Sequence, residues 1–113
     1  MRIKRVYEDP DDGDGARVLV DRLWPRGISR DKARLQLWAR DLGPSNALRQ
    51  WFGHDPARFG EFARRYRAEL AGQGALLAEV RALGAAHGVL TLLYSARDEQ
   101  HNQAVVLAEV LRG

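Results

Sequence analysis

The chain contains no cysteine. That excludes disulfides, thiolate catalysis and cysteine-based zinc sites together. It has only two lysines, Lys4 and Lys32, so nearly all of its positive charge is arginine. Arginine suits planar, bidentate contacts with anions. No apolar run is longer than the few residues around 89–94, far short of a membrane span. Met1-Arg2-Ile3-Lys4 leads straight into strand-like sequence, so no signal or transit segment is expected. A Walker-type phosphate loop, G-x-G-x-x-G, H-E-x-x-H and a nucleophile elbow are all missing. His54, His87 and His101 share no short metal-ligand spacing. Neither a metal nor a cofactor is expected, and the expected location is the cytoplasm, away from membranes.

What is present suffices for one domain. At 113 residues and 45% hydrophobic, the chain can bury a single core. Its net charge of +3 is a weak footprint for nucleic-acid binding. Residues 2–7 read as a first strand. Residues 8–15, EDPDDGDG, read as a solvated hairpin or crossover loop, because the acid spacing does not match a calcium loop. Residues 17–22 read as a second strand. A short helical turn is expected within 28–33, and a short strand or irregular segment within 35–42.

Ser45 suits a helix N-cap, with Leu48, Trp51 and Phe52 on one face and Gly53 as the stop. Asp55-Pro56 starts another helix, to about Ala71, with Phe59, Phe62, Ala63, Tyr66 and Leu70 as its apolar stripe. Its arginines are interleaved with Glu61 and Glu69 at ion-pair spacing, so they read as a solvated face, and duplex DNA binding should be weak. Leu76, Leu77, Val80 and Leu83 mark a further helix, stopped near Gly88. The unbroken run 89–94 reads as a strand covered on both faces. A last helix is expected from about Asp98 to Leu111, with Val106, Leu107, Val110 and Leu111 inside. The fold class that follows is α/β: one small domain with a short, mostly parallel sheet covered by helices.

Two stretches carry candidate chemistry. The segment 17–27, RVLVDRLWPRG, delivers Asp21, Arg22, Trp24, Arg26 and Gly27 to the end of a rigid strand. Pro25 ends that strand, and Gly27 permits a backbone angle that other residues resist. The segment 95–102 supplies Ser95, Arg97, Asp98, His101 and Asn102 where the last strand turns into its helix. Ser95 and Asp98 have capping-box spacing, which places a helix N-terminus at this edge. If the strands are parallel, both segments meet at the carboxyl edge, where ligands sit in open α/β sheets.

Arg22, Trp24, Arg26, Gly27, Ser95, Arg97, Asp98 and Asn102 are then candidate ligand-binding residues. Asp21 and His101 are candidate acid–base groups. Each also has a structural reading. Trp24 suits a core plug, Ser95 a cap, His101 a surface side chain, and Asp21 a partner in an ion pair.

Three long motifs, RVLVDRLWPRG, GPSNALRQWFGHDPARFGEFARRYRAEL and LLYSARDEQHNQAVVL, resemble in order the YeaO-like branch of domain-of-unknown-function family 488. The resemblance covers nearly the whole chain. It implies an α/β fold from a bacterial or archaeal source, and it implies no established activity. By the same resemblance, Asp21, Arg22, Trp24, Pro25, Arg26 and Gly27 belong to a first signature. Pro44, Ser45, Leu48, Arg49, Trp51, Phe52 and His54 belong to a second, and Tyr94, Asp98, His101 and Asn102 to a third. Gly43 stands where the family more usually has alanine, and Arg30 and Arg40 where lysine is common; all three read as surface detail.

The residues leave three functions open. One is a small enzyme or binding domain for an anionic, possibly phosphorylated, small molecule. The second is a nucleic-acid-associated accessory protein. The third is a non-catalytic interaction domain whose polar motifs are structural.

Overall fold

The computed structural model describes all 113 residues. Four strands, β1 (Arg2–Arg5), β2 (Ala16–Leu19), β3 (Leu37–Trp38) and β4 (Leu90–Tyr94), form one sheet. Their order is β1-β4-β2-β3 and every neighbouring pair is parallel. The helices are α1 (Arg30–Ala33), α2 (Asn46–Phe52), α3 (Phe59–Leu70), α4 (Gly74–His87) and α5 (Gln103–Arg112). None is long and apolar enough to cross a membrane. The two unbroken apolar runs became the central strands, β2 and β4, as parallel strands buried on both faces should.

The two faces of the sheet are built differently. Ala16, Val18, Leu90, Leu92 and Tyr94 point into the main core, against Phe52 of α2, Phe62, Tyr66 and Leu70 of α3, Val80 of α4 and Leu107 of α5. The expected helical stripes supply these contacts, because residues three and four apart share a helix face. On the other face Leu19 and Leu93, with Val6, form a small cluster under Trp24, Ile28, Leu35 and Trp38. Residues 24–38 therefore replace a helical layer there. The amino-terminal half of this second face is ionic. Asp14 is fully buried and takes Arg2 at 3.2 Å, Lys4 at 3.1 Å and Arg17 at 2.5 Å. The solvated reading of residues 8–15 fails at this residue. The loop is a crossover that turns Asp14 inward, where basic side chains of β1 and β2 need a counter-charge.

Several boundaries moved for identifiable reasons. Strand β2 stops at Leu19 rather than at residue 22. Val20 still donates to Leu93 at 3.0 Å, but the Trp38 indole takes the Asp21 carbonyl at 2.7 Å and the chain leaves the sheet. Strand β1 ends at Arg5, two residues early, and Tyr7 is exposed. The largest shift is at α5, which starts at Gln103, about five residues after the expected start. Its N-cap is Asn102, whose side chain accepts from the Val105 amide at 3.2 Å. Ser95 and Asp98 form no capping box there. The Asp98 carboxylate instead closes its own turn by accepting from the Gln100 and His101 amides at 2.9 and 3.0 Å.

Elsewhere the caps behave as read. Ser45 accepts from the Leu48 amide, and Asp55 with Pro56 opens a 3-10 turn, Pro56–Arg58, that runs into α3. On α3, Glu61 pairs with Arg64 and Arg65, but Glu69 does not reach Arg65. It accepts from the Ser45 amide and hydroxyl, tying α3 to the start of α2. Gly43 is not surface detail. It is buried, and a Cβ there would lie 2.6 Å from the Arg22 amide nitrogen.

Candidate functional site

Parallel strands bring their carboxyl ends to one edge, and a pocket of about 380 Å³ opens there. The segment after β2 supplies Asp21, Arg22, Trp24 and Arg26. The segment after β4 supplies Ser95 and Ala96, and Tyr7 follows β1. Helix α2 and the turn after it bring Arg49, Phe52 and His54; Phe62 of α3 and Asn102 and Gln103 at the start of α5 close the far wall. Six of the sequence-derived residues therefore meet: Asp21, Arg22, Trp24, Arg26, Ser95 and Asn102. Gly27, Arg97, Asp98 and His101 are not in the lining. Gly27 is exposed with φ +77° and open space around its Cα, so its place in the motif is conformational.

The hydrogen bonds separate groups that are engaged from groups that are free. The guanidinium of Arg22 donates from Nε to Pro44 O at 2.9 Å and from Nη2 to Gly43 O at 2.8 Å. It holds the 43–44 loop against β2. The same side chain also borders a second, 320 Å³ hollow with Asp41, Tyr66 and Glu69. The Trp24 indole donates to Ile28 O at 2.7 Å, meets Trp38 edge-on at 5.3 Å, and carries the Arg30 guanidinium 4.1 Å above its ring. Asn102 is spent as the cap of α5 and as donor to Asp98 O at 2.9 Å.

By contrast, the Arg26 side chain is exposed and makes no hydrogen bond or ion pair; only its carbonyl is used, by the Tyr7 hydroxyl at 3.0 Å. Arg49 uses Nη1 on Asn46 at 2.9 Å and keeps its other donors. His54 is exposed with φ +56°, a left-handed angle that histidine tolerates better than most side chains.

Asp21 forms part of the buried lining. It is 7% exposed, and the Gln103 side-chain amide donates to its Oδ1. Burial pushes its carboxyl above the ordinary range, while Ser95, Gln103 and the charge of Arg49 oppose the rise. His101 is outside the lining. Its Nδ1 lies 2.9 Å from Asp98 Oδ2, and its ring packs edge-on against Phe59 at 5.2 Å. Amide donation, first from Gln100, holds the Asp98 carboxyl below the ordinary range.

Arg5 reaches across from β1 to the carbonyls of Ser95 at 3.1 Å and Ala96 at 2.9 Å, which fixes the wall that both segments share. No three of the His, Asp and Glu side chains converge to hold a metal ion. Arg49, His54 and Gln103 were not among the candidates from composition and spacing. Arg49 and His54 were named as motif residues only by the resemblance, in its second signature. Gln103 had no signal at all.

A family model described as "Inactive DUF488-N3 subclade" matches residues 1–113. An uncharacterised protein of Mycobacterium tuberculosis, Rv3073c, is 48% identical over 113 residues, covering 100% of this chain and 94% of that protein. The uncharacterised protein YeaO of Escherichia coli strain K12 is 42% identical over 115 residues, covering 99% of this chain and 96% of its own length. No solved structure matches the chain.

Proposed function

The chain belongs to the DUF488 family, in the subclade described as inactive, and from that premise we propose that it is a cytoplasmic binding domain for a small anionic molecule. The observation that carries the proposal is the charge of the pocket lining: Arg22, Arg26 and Arg49 against the single carboxylate of Asp21. Arg22 is occupied by backbone carbonyls, so Arg26 and Arg49 are the ligand forks. Guanidinium groups bind phosphate or carboxylate through paired, charge-assisted hydrogen bonds. The amino end of α5 also borders the pocket, where Gln103 bonds Asp21. A pocket of this size at the carboxyl edge of a parallel sheet suits a small molecule.

Binding is favoured over turnover. The subclade carries the word inactive in its description. The two acid–base candidates also do not share the ligand space: Asp21 lines it, and the His101 ring is held by Asp98 outside it. The nucleic-acid alternative has less support, because Arg64 and Arg65 are bonded to Glu61 and Arg67 to Glu109.

Thermal denaturation in rising inorganic phosphate tests the reading. A ligand at a hundred times its Kd stabilises the native state by about 2.7 kcal/mol. The wild-type melting temperature should climb with phosphate. Arg26→Ala with Arg49→Ala should abolish the climb, and Arg97→Ala should keep it. Equal protection of the double variant would remove the pocket from the account.

A further inference from the structure

Anion binding leaves Asp21 without a role. The protein has two buried acids, Asp14 at 0% and Asp21 at 7% exposure. Asp14 is met by three cations, Arg2, Lys4 and Arg17. Asp21 forms an ion pair with none; its partners are neutral, the Gln103 amide and Ser95. Buried acids are normally paired, because an uncompensated charge away from water is costly. The unpaired one is the acid that lines the pocket. Arg49 lines the same pocket but makes no ion pair with Asp21, so the two opposite charges border one space.

A ligand that carried only negative charge would meet Arg26 and Arg49 favourably and Asp21 unfavourably. A ligand that also carried an ammonium group would satisfy both ends. We propose that the pocket takes an amphoteric organic acid of amino-acid size, with its acid group on Arg26 and Arg49 and its ammonium on Asp21. This rests on the pocket being an anion site. The lining also contains Trp24, Phe52 and Phe62, with Phe52 and Phe62 stacked at 4.3 Å. They favour a ligand whose stem is apolar or aromatic. The ammonium supplies the counter-charge that the fold gives Asp14 and withholds from Asp21.

Three matched probes separate the groups: 3-phenylpropionate carries the acid alone, phenethylamine the ammonium alone, and phenylalanine both on the same ring and stem. Their affinities are measured by isothermal titration at neutral pH. Phenylalanine should bind wild-type protein about tenfold or more tighter than 3-phenylpropionate, the range of a charged hydrogen bond. Asp21→Asn should erase that preference by weakening phenylalanine and strengthening 3-phenylpropionate.

Equal or tighter binding of 3-phenylpropionate to the wild type would overturn the amphoteric proposal and leave the anion pocket standing. A preference unchanged in Asp21→Asn would also overturn it, since the ammonium would then sit elsewhere. Failure of both acids and of inorganic phosphate to bind would remove the anion reading, and this proposal with it. The wild-type ligand series tests whether the ammonium matters, and Asp21→Asn tests where it sits.

Discussion

Asp14 and Asp21 are the same side chain, both buried, and in both burial raises the pKa while neighbours lower it, but the balance falls in opposite directions. Burial works against the Asp14 carboxylate, but hydrogen bonds from the Asp11 amide, Lys4 and Arg17 outweigh it and hold the group below 3.8. Its contribution to stability is present above that value and is lost as pH falls through the folded pKa. For Asp21 burial wins and the group is raised above 3.8. Its ionised form therefore opposes folding above the raised pKa, and the penalty is relieved as pH falls from there towards 3.8.

Asp21→Asn should accordingly raise the melting temperature at pH 7, with the gain shrinking as the pH is lowered through that window. A variant less stable than wild type across a series of thermal melts would contradict this. Gly43 gives a second test at this scale. Its Cβ would meet the Arg22 backbone, which cannot swing aside as a flexible side chain would. Gly43→Ala should cost about 1–3 kcal/mol of overpacking, read from urea denaturation. Full wild-type stability would show that the loop can give way.

The helices with long apolar stripes were legible because the 3.6-residue period needs no distant partner. Phe62, Tyr66 and Leu70 of α3 and Val106, Leu107 and Leu111 of α5 are buried as that period requires. The start of α5 was misread for a physical reason. Ser95, Asp98 and Asn102 are all capping side chains, and local spacing does not rank them. Arg5, ninety residues away in the chain, holds the Ser95 and Ala96 carbonyls and keeps that stretch out of the helix. Asn102→Ala should therefore cost about 1 kcal/mol through loss of the cap, while Ser95→Ala leaves the helix content unchanged. Circular dichroism melts of the two variants check this; the reverse order would restore the earlier start.

At the scale of the whole molecule, the parallel sheet sets the site. Its central strands were visible as unbroken apolar runs, and their direction placed residues 21–26 and 95–102 at one edge. Side-chain chemistry alone ranked Arg22 with Arg26, yet the fold spends Arg22 on the carbonyls of Gly43 and Pro44. Arg49 and Gln103 arrive from helices that pack only in the finished core, so no spacing announced them.

The proposed site then stands on Arg26 and Arg49. The most direct measurement is a two-dimensional NMR titration of nitrogen-labelled protein with inorganic phosphate. The account predicts saturable shifts at the Arg26 and Arg49 Nε signals and at backbone amides of residues 21–24, 26 and 95–103. Shifts spread over the exposed arginines of α3 and α4, or none that saturate, would contradict it.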